Sequence, residues 1–272
     1  MNIAITAALD AGRQAPILFS GGMVDAFALA AELGYDGVEI HLQRPEDIDR
    51  NAVGELARHH GLGVPTLGTG MAAGREGLVF SDSDPAIRAR AVQRIRSQID
   101  LASFLHSGVT IGLIYGRLGS DPAKKEEKRE AAVECLKECC RHAEHRGVTL
   151  FLEAINRYEM DQLVTLDEAI ECLHQVGSGS LRLLADTFHM NIEEVDLPGT
   201  LRRAAGLLGH VHLSDSNRQV PGHGHLDMKA VLGALRDIRF EGYLSFEVFP
   251  LPDPVSAARD GIAHVRHLLA AR

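Results

Sequence analysis

Four residues of the types that bind metal ions or exchange protons each stand at the end of a short strand-like run in the second half of the chain. They are Glu153 after Leu150-Phe151-Leu152, Asp186 after Leu183-Leu184-Ala185, His212 after His210-Val211, and Glu247 after Leu244-Ser245-Phe246. A carboxylate at the end of a buried strand is costly unless it meets a cation or hydrogen-bond donors. A single aspartate there would be interpreted as a helix cap or a turn residue, but the recurrence at four strand ends favours a functional site.

The chemistry that suits these four side chains is metal binding. Two glutamates, an aspartate and a histidine would not all stay charged in a small space without a cation, because neighbouring carboxylates force protons onto one another. The oxygen-rich set suits a hard or borderline divalent ion, with Mn²⁺ as the first choice and Mg²⁺ or Co²⁺ as alternatives. A structural zinc site is a poorer fit because the set contains no thiolate. The sequence therefore predicts one divalent metal ion.

The elements that would position these residues alternate between strand-like and helix-like patterns along the whole chain. The predicted strands are Asn2 to Ala7, Gly37 to Ile40, Val64 to Leu67, Val109 to Ile114, Val148 to Glu153, Leu181 to Asp186, His210 to Leu213 and Tyr243 to Val248. The predicted helices are Met23 to Leu33, Pro45 to His60, Pro85 to His106, Pro122 to Arg146, Leu166 to Val176, Leu197 to Leu208, Met228 to Ile238 and Pro254 to Ala271. Several of these helices stop at a glycine.

Eight strand-then-helix units in 272 residues predict an α/β fold in which residues 1–272 form a single closed (β/α)₈ TIM barrel. In such barrels the catalytic groups come from the C-terminal ends of several strands, so the four candidate residues would meet at one mouth. An open, doubly wound sheet is the alternative, but it would need a nucleotide-binding turn. The first such turn, Leu9 to Met23, contains neither G-x-G-x-x-G nor G-x-x-x-x-G-K-[ST].

Composition narrows the class of partner. The net charge of −9 argues against nucleic acid, whose phosphate backbone requires a basic surface. The four cysteines show no C-x-x-C spacing, which predicts reduced thiols rather than disulfides. The start of the chain has no basic region followed by a long apolar core, and no apolar run reaches the length of a membrane span. We therefore expect a cytoplasmic protein with neither a nucleic-acid nor a membrane partner.

Longer motifs around the four residues resemble the xylose-isomerase-like sugar isomerase/epimerase barrels, specifically the ketose 3-epimerase branch. The matching segments are Glu153-Ala154-Ile155-Asn156-Arg157-Tyr158-Glu159, Ala185-Asp186-Thr187-Phe188-His189-Met190-Asn191-Ile192-Glu193-Glu194, His210-Val211-His212-Leu213-Ser214-Asp215-Ser216-Asn217-Arg218, Pro221-Gly222-His223-Gly224-His225 and Phe246-Glu247-Val248-Phe249-Pro250. Together with the order of the elements they cover nearly the whole chain. Tagatose- and psicose-type 3-epimerases share them, but Gly68-Thr69-Gly70 and the short Pro250 to Pro254 connection look more like a bacterial 5-keto-L-gluconate epimerase.

The resemblance implies a role for each matching residue. Glu153, Asp186, His212 and Glu247 would bind the metal ion, and Glu153 and Glu247 would also act as acid and base. Glu159, His189 and Arg218 would bind substrate oxygens. The implied reaction inverts C3 of a ketose or keto sugar acid through a cis-enediolate, which a divalent Lewis acid stabilises by several kcal/mol. The resemblance also implies a homo-oligomer, either a dimer or a tetramer.

Other functions on the same scaffold remain open at this point. They are an aldose–ketose or hydroxypyruvate-type isomerase and an inosose dehydratase-type lyase. The acidic charge disfavours a metal-dependent endonuclease, and a non-catalytic sugar-binding barrel would be expected to lack Glu153 or Glu247. Only Arg218 offers a basic group at the mouth, which favours an unphosphorylated sugar or sugar acid. The alternative interpretation of Arg218 is a surface ion pair with Asp215.

Several other polar residues receive a structural interpretation. Glu39 also ends a strand but is left outside the catalytic set, and His210 is expected to be a hydrogen-bonded core histidine. His223 and His225 belong to a glycine-rich loop. Two further glycine-containing segments, Gly68 to Gly77 and Tyr115 to Ser120, are expected to be loops, one of which would close over the bound sugar.

Overall fold

The computed structural model describes residues 1–12 and 15–271, and within them one parallel sheet closes into a barrel. The strands are β1 Asn2–Ala8, β2 Phe19–Ser20, β3 Gly37–His41, β4 Thr66–Gly68, β5 Gly108–Ile111, β6 Leu150–Glu153, β7 Leu181–Asp186, β8 Leu208–His212 and β9 Tyr243–Phe246. They pair in the order β2-β1-β3-β4-β5-β6-β7-β8-β9, and β1 also pairs with β9. That last pairing closes an eight-stranded barrel, with the two-residue β2 attached along β1, and confirms the predicted fold.

The register of β6 to β9 places the polar residues at the C-terminal ends of these strands at nearly the same height along the barrel axis. Asp186 pairs with His212 across β7 and β8, and His212 pairs with Ser245 across β8 and β9. Glu153 at the end of β6 pairs with Leu184, two residues before Asp186. Because the strands are parallel, their C-terminal ends open at the same mouth of the barrel.

Ten helices of the described residues surround the barrel. They are α1 Met23–Leu33, α2 Arg50–His60, α3 Gly70–Glu76, α4 Pro85–Leu105, α5 Lys125–Arg146, α6 Leu166–Val176, α7 Thr187–Glu193, α8 Leu197–Arg203, α9 Met228–Asp237 and α10 Pro254–Ala270. Their apolar sides pack on the strands, as Phe27 of α1 and Ile99 of α4 do without any exposed surface. Helices α1 and α2 end at the left-handed glycines Gly34 and Gly61, as predicted. In the part of the chain that the structure describes, no helix combines the length and apolar character of a membrane span.

Some predicted element bounds were wrong. The expected loop from Gly68 to Gly77 contains α3, whose Glu76 accepts hydrogen bonds from Arg94 of α4 and from Gln43. These tertiary contacts outweigh the low helix propensity of glycine in α3. The helices predicted from Pro45 and Pro122 begin instead with 3₁₀ turns, Pro45–Asp47 and Pro122–Lys124, before α2 and α5. The helix predicted from Leu197 to Leu208 ends at Arg203, and α7 was not predicted as a separate helix.

Candidate active site

The four strand-end residues lie together at the C-terminal mouth of the barrel. Glu153, Asp186 and His212 are the last residues of β6, β7 and β8, and Glu247 follows β9 directly. One ligand atom of each lies within 4.8 Å of the others. Three carboxylates surround His212 Nδ1: Glu153 Oε1 at 3.2 Å, Glu247 Oε2 at 3.7 Å and Asp186 Oδ2 at 3.8 Å. The structure therefore brings together the residues that the sequence assigned to one metal ion.

The two oxygens of Asp186 have different environments. Oδ1 accepts the backbone N–H of Phe188 at 2.7 Å and so caps α7, which is the structural role that an aspartate after a strand commonly has. Oδ2 is buried and has no hydrogen-bond partner among the described residues, although three side-chain nitrogens lie 3.7 to 3.9 Å away. A buried, unpaired carboxylate oxygen is stabilised by a cation. This oxygen and the surrounding donor set fit a divalent metal ion.

The charges of the cluster act strongly on one another. Burial raises the pKa of Asp186 to about 7, with Glu247 reinforcing the shift and Arg218 opposing it, and burial also raises the pKa of Glu153. Burial alone would raise the pKa of Glu247 too, but His212 and Arg218 lower it to about 2. The pKa of His212 is raised, because the neighbouring carboxylates outweigh its burial. The raised pKa values of Asp186, Glu153 and His212 mean that protons are held in the cluster while no cation is bound, and a divalent cation would take their place.

A cavity of about 270 Å³ adjoins the cluster. Glu153, His212 and Glu247 line it, and so do the three residues predicted to bind substrate, Glu159, His189 and Arg218. Other lining residues come from the N-terminal half of the barrel and include small residues and larger apolar ones, among them Gly68, Thr69, Gly70, Thr110, Gly112, Ile17, Met71 and Leu113. The predicted substrate-binding residues therefore share one cavity with the candidate metal ligands.

Arg218 is a residue of this cavity and not a surface partner of Asp215. Its Nη2 donates to Glu247 Oε2 at 2.7 Å, and its Nη1 donates to Glu159 Oε1 at 3.3 Å. The guanidinium carbon lies 4.7 Å from the centre of the Phe188 ring, which packs against the cation. Arg218 thus connects one candidate catalytic carboxylate to one candidate substrate-binding carboxylate.

Asp215 instead organises the loop that carries Arg218. Its carboxylate accepts the backbone N–H groups of Ser216, Gly222 and Leu226 at 2.8 to 3.0 Å. In the same loop, His225 is hydrogen-bonded to the Ser216 hydroxyl and His223 lies 3.8 Å from Asp260. Among the described residues that line the cavity, neither histidine is present, and both contact residues of the loop or its surroundings, in line with their predicted place in a glycine-rich loop.

Asn156 is a functional candidate that the sequence interpretation missed. Its Oδ1 accepts the backbone N–H of Tyr158, so Nδ2 is the atom that lies 3.0 Å from Glu159 Oε1 and 2.7 Å from His189 Nδ1. An amide nitrogen only donates, which makes Nδ1 of His189 the unprotonated nitrogen and places the proton on Nε2. Burial lowers the pKa of His189 and keeps it neutral. His189 is therefore a hydrogen-bond donor beside the cluster.

A second buried group of residues contacts the first. Glu39 has no exposed surface, and its carboxylate faces the Nε2 atoms of His41, His210 and His212 at 2.8 to 3.0 Å. His210 is the hydrogen-bonded core residue that its position in β8 predicted. His41 lines the cavity, a position that the sequence around it did not predict. The only signal for Glu39 in the sequence was its place near the end of a strand.

The chain belongs to the xylose isomerase-like TIM barrel family, which matches it over residues 27–268. It is 32% identical to an L-ribulose 3-epimerase of Methylomonas sp. (strain DH-1) over 231 residues, 85% of this chain and 79% of that protein. It is 28% identical to the 3-dehydro-D-guloside 4-epimerase of Escherichia coli (strain K12) over 267 residues, 94% of this chain and 98% of that protein.

A solved structure extends this similarity to three dimensions. The D-allulose 3-epimerase from Methylomonas sp., in complex with D-allulose, superposes with a TM-score of 0.81 and 27% identity, covering 98% of this chain and 99% of that one. These relatives are sugar epimerases, and epimerases are isomerases. The predicted family and the predicted enzyme class, an isomerase, are confirmed.

Proposed function

We propose that this chain is a divalent-metal-dependent epimerase that inverts C3 of a ketose or a keto sugar acid. The observation that carries the proposal is a cavity lined by residues of a carboxylate–imidazole cluster that could bind a divalent cation. The two glutamates of this cluster lie at the ends of strands that are not neighbours in the barrel. Similarity to an L-ribulose 3-epimerase and to a D-allulose 3-epimerase supports the same reaction.

Glu153 and Glu247 are the proposed acid and base. Inversion at C3 removes a proton from one face of the sugar and returns one to the other face of a flat cis-enediolate, so it requires two proton-transfer groups. Glu153 ends β6 and Glu247 follows β9, with β7 and β8 between them, and both line the cavity. The hydrogen bond from Arg218 stabilises the carboxylate form of Glu247, which suits a base. The two residues exchange roles when the reaction runs in reverse.

Glu153, Asp186, His212 and Glu247 are the proposed ligands of one divalent ion, with Mn²⁺ as the first choice and Mg²⁺ or Co²⁺ as alternatives. When bound, the ion would act as a Lewis acid and stabilise the negative charge that develops on the substrate oxygens. The unpaired Oδ2 of Asp186 supports this assignment, because it is buried beside the other three ligands. His212 would supply the nitrogen ligand through Nδ1.

Glu159, His189 and Arg218 are the proposed substrate contacts. His189 would donate a hydrogen bond from Nε2–H to a sugar oxygen, while Glu159 would accept a hydrogen bond from a sugar hydroxyl. Among the described residues that line the cavity, Arg218 is the sole lysine or arginine, and it already pairs with Glu247 and Glu159. Because a phosphate group requires several available donors, an unphosphorylated sugar fits this cavity better.

The test is incubation of the Mn²⁺-loaded protein in D₂O with a panel of L-ribulose, D-allulose, D-tagatose and 5-keto-L-gluconate. We expect deuterium in both the product and the recovered substrate, detected by NMR, at C3 of the 2-ketoses and at C4 of 5-keto-L-gluconate, which is the matching carbon next to its C5 carbonyl. Label at C1 would instead indicate aldose–ketose isomerisation, and an unsaturated product absorbing in the ultraviolet would indicate a dehydratase. Interconversion without any exchange with solvent would exclude the proposed proton transfer.

A second candidate is inversion at C4 of a 3-keto sugar. The 4-epimerase relative is matched over 98% of its length, whereas the L-ribulose 3-epimerase is matched over 79%. The chemistry is the same, because a C4 proton next to a C3 carbonyl is also α to that carbonyl. Deuterium at C4 of a 3-keto glycoside, without exchange at C3 of the ketoses, would favour this candidate.

The proposal includes a homo-oligomer, dimer or tetramer, and a cytoplasmic location, both carried over from the family resemblance and the sequence. Light scattering coupled to size-exclusion chromatography tests the first. A protein that is fully active as a monomer would contradict it.

A further inference from the structure

The Glu39 cluster consists of Glu39, His41, His210 and His212, and it lies next to the proposed metal site. Glu39 Oε1 is 2.9 Å from His41 Nε2 and 3.0 Å from His212 Nε2, while Oε2 is 2.8 Å from His210 Nε2. Glu39 and His212 have no exposed surface, and His210 and His41 are 1% and 8% exposed. Because His212 belongs to both groups, the cluster is joined to the metal site through a single imidazole.

The distances within the Glu39 cluster are those of hydrogen bonds. The two histidines of β8 contact different oxygens of Glu39, each at the length of an ordinary N–H···O bond. A carboxylate provides only acceptors, so each of the three Nε2 atoms that face it carries a proton. His212 Nδ1 lies 3.2 Å from Glu153 Oε1 and also faces Asp186 and Glu247, so it carries a proton as well while no cation is bound. A metal ion bound at Nδ1 would replace that proton, whereas the proton on Nε2 would stay in the hydrogen bond to Glu39.

We propose that Glu39 is a positioning residue that holds His212 in the tautomer and the orientation in which Nδ1 can bind the metal ion. The inference rests on the proposed metal site and adds to it a residue from the opposite half of the barrel. Glu39 lies on β3, whereas all four proposed ligands lie on or directly after β6 to β9. Carboxylates that accept the second N–H of a ligand histidine typically change metal affinity by ~10–100-fold when removed.

Glu39 also fixes the cavity wall. His41 shares Oε1 with His212 and lines the cavity, so one carboxylate oxygen orients both a proposed metal ligand and a wall residue. The ring of His41 packs against Gly68, and a Cβ added to Gly68 would overlap Nδ1 of His41. Rotation of His41 is therefore limited on one side by Gly68 and on the other by Glu39.

The experiment compares three variants, Glu39→Ala, Glu39→Gln and His210→Ala, by titrating each metal-free protein with Mn²⁺ in a calorimeter. Glu39→Ala removes the acceptor of His212, and we expect Mn²⁺ affinity to fall by ~10–100-fold. Glu39→Gln keeps one carbonyl oxygen that can accept the hydrogen bond from His212. Its Mn²⁺ affinity should therefore fall by less than that of Glu39→Ala. His210→Ala disrupts the same buried cluster but leaves the Glu39–His212 bond, so its Mn²⁺ affinity should stay within a few-fold of wild type.

A purely structural role for Glu39 predicts a different pattern. All three variants would then melt at lower temperature but bind Mn²⁺ with the wild-type affinity, and that result would overturn the inference. If wild-type protein itself does not bind Mn²⁺, the proposed metal site fails, which is distinguishable from a failure of Glu39 alone.

An NMR measurement on the wild-type protein covers the case in which Glu39→Ala does not fold. In ¹⁵N-histidine-labelled, Mg²⁺-loaded protein, we expect His212 to show a protonated, hydrogen-bonded Nε2 and an unprotonated Nδ1. The chain contains 14 histidines, so the signal is assigned by its loss in His212→Gln. A proton on Nδ1 with a bare Nε2 would contradict the proposed hydrogen bond.

Discussion

The two halves of the barrel wall contribute different things to the cavity. In the C-terminal half, β6 to β8 end in Glu153, Asp186 and His212, and Glu247 follows β9. In the N-terminal half, the cavity wall combines the small residues Gly68 to Gly70, Thr110 and Gly112 with the apolar side chains of Ile17, Met71 and Leu113. One half therefore concentrates the charges for proton transfer and cation binding, and the other shapes the space in which a sugar would lie.

Glu39 and His41 are the exception to this division. Both belong to β3, but the carboxylate of Glu39 reaches His210 and His212 on β8. The charged half is thus held from the opposite side of the barrel.

The largest effect should come from a charged residue of the C-terminal half. Glu247→Gln is expected to lower kcat by ~10²–10⁴-fold, because an amide cannot take up a proton, while sugar binding is retained. Turnover is followed by NMR and binding by calorimetry, since the chain has no tryptophan for fluorescence. Glu134→Gln, an exposed glutamate on α5, is the control and should turn over normally. A near-wild-type rate would remove Glu247 from the acid/base pair.

A residue of the shape-forming half should have the next largest effect. A Cβ added at Gly112 would overlap Glu153 Oε2 and would lie 3.2 Å from Ile155 Cδ1. Gly112→Ala should therefore displace the carboxylate and lower kcat by ~10–100-fold, since small misplacements of reacting groups are costly. Gly74→Ala is the matched control, because nothing lies within 4 Å of its added Cβ and alanine favours a helix. Equal activity of the two variants would show that Gly112 does not set the position of Glu153.

The proposed metal ligands could be predicted from the sequence because each is a local event, a polar residue that ends a strand-like run. The residues that orient them could not be predicted in this way. Glu39 meets its partners on β8 across 171 and 173 residues of chain, and Asn156 meets His189 across 33. No local pattern encodes such contacts, which arise only when the barrel closes.

The eight strand-and-helix units could likewise be predicted, because alternation and glycine stops repeat along the chain. Helix α3 could not, since its own sequence contains glycines that disfavour a helix, and its Glu76 is bonded to Arg94 of α4, a contact that no local pattern indicates. The local structure of the N-terminal cavity wall, which includes Gly70 and Met71 of α3, was therefore less predictable than that of the C-terminal wall.

A third prediction concerns the amide that orients His189. Asn156→Asp replaces a donor with an acceptor of the same shape, so the proton of His189 should move from Nε2 to Nδ1 and the new carboxylate should repel Glu159. Losing the donor on the cavity side should lower kcat/KM by ~10–100-fold. Steady-state kinetics test this, with the exposed Asn51→Asp on α2 as the matched control. Unchanged kcat/KM in Asn156→Asp would exclude a hydrogen bond from His189 to the substrate as a contribution to turnover.

The smallest effect should be on stability and should leave the chemistry intact. Hydrogen bonds from Arg94 lower the pKa of Glu76 from about 4.5 to about 2, so ionised Glu76 stabilises the fold above pH ~5 and loses that contribution as the pH falls towards 2. Glu76→Gln should lower the free energy of unfolding at pH 7 by about 1–2 kcal/mol, and the difference from wild type should shrink towards pH 2. Urea unfolding at several pH values measures this, and Glu134→Gln serves as the exposed control. A difference that stays constant with pH would mean that the ionised Glu76–Arg94 pair does not stabilise α3.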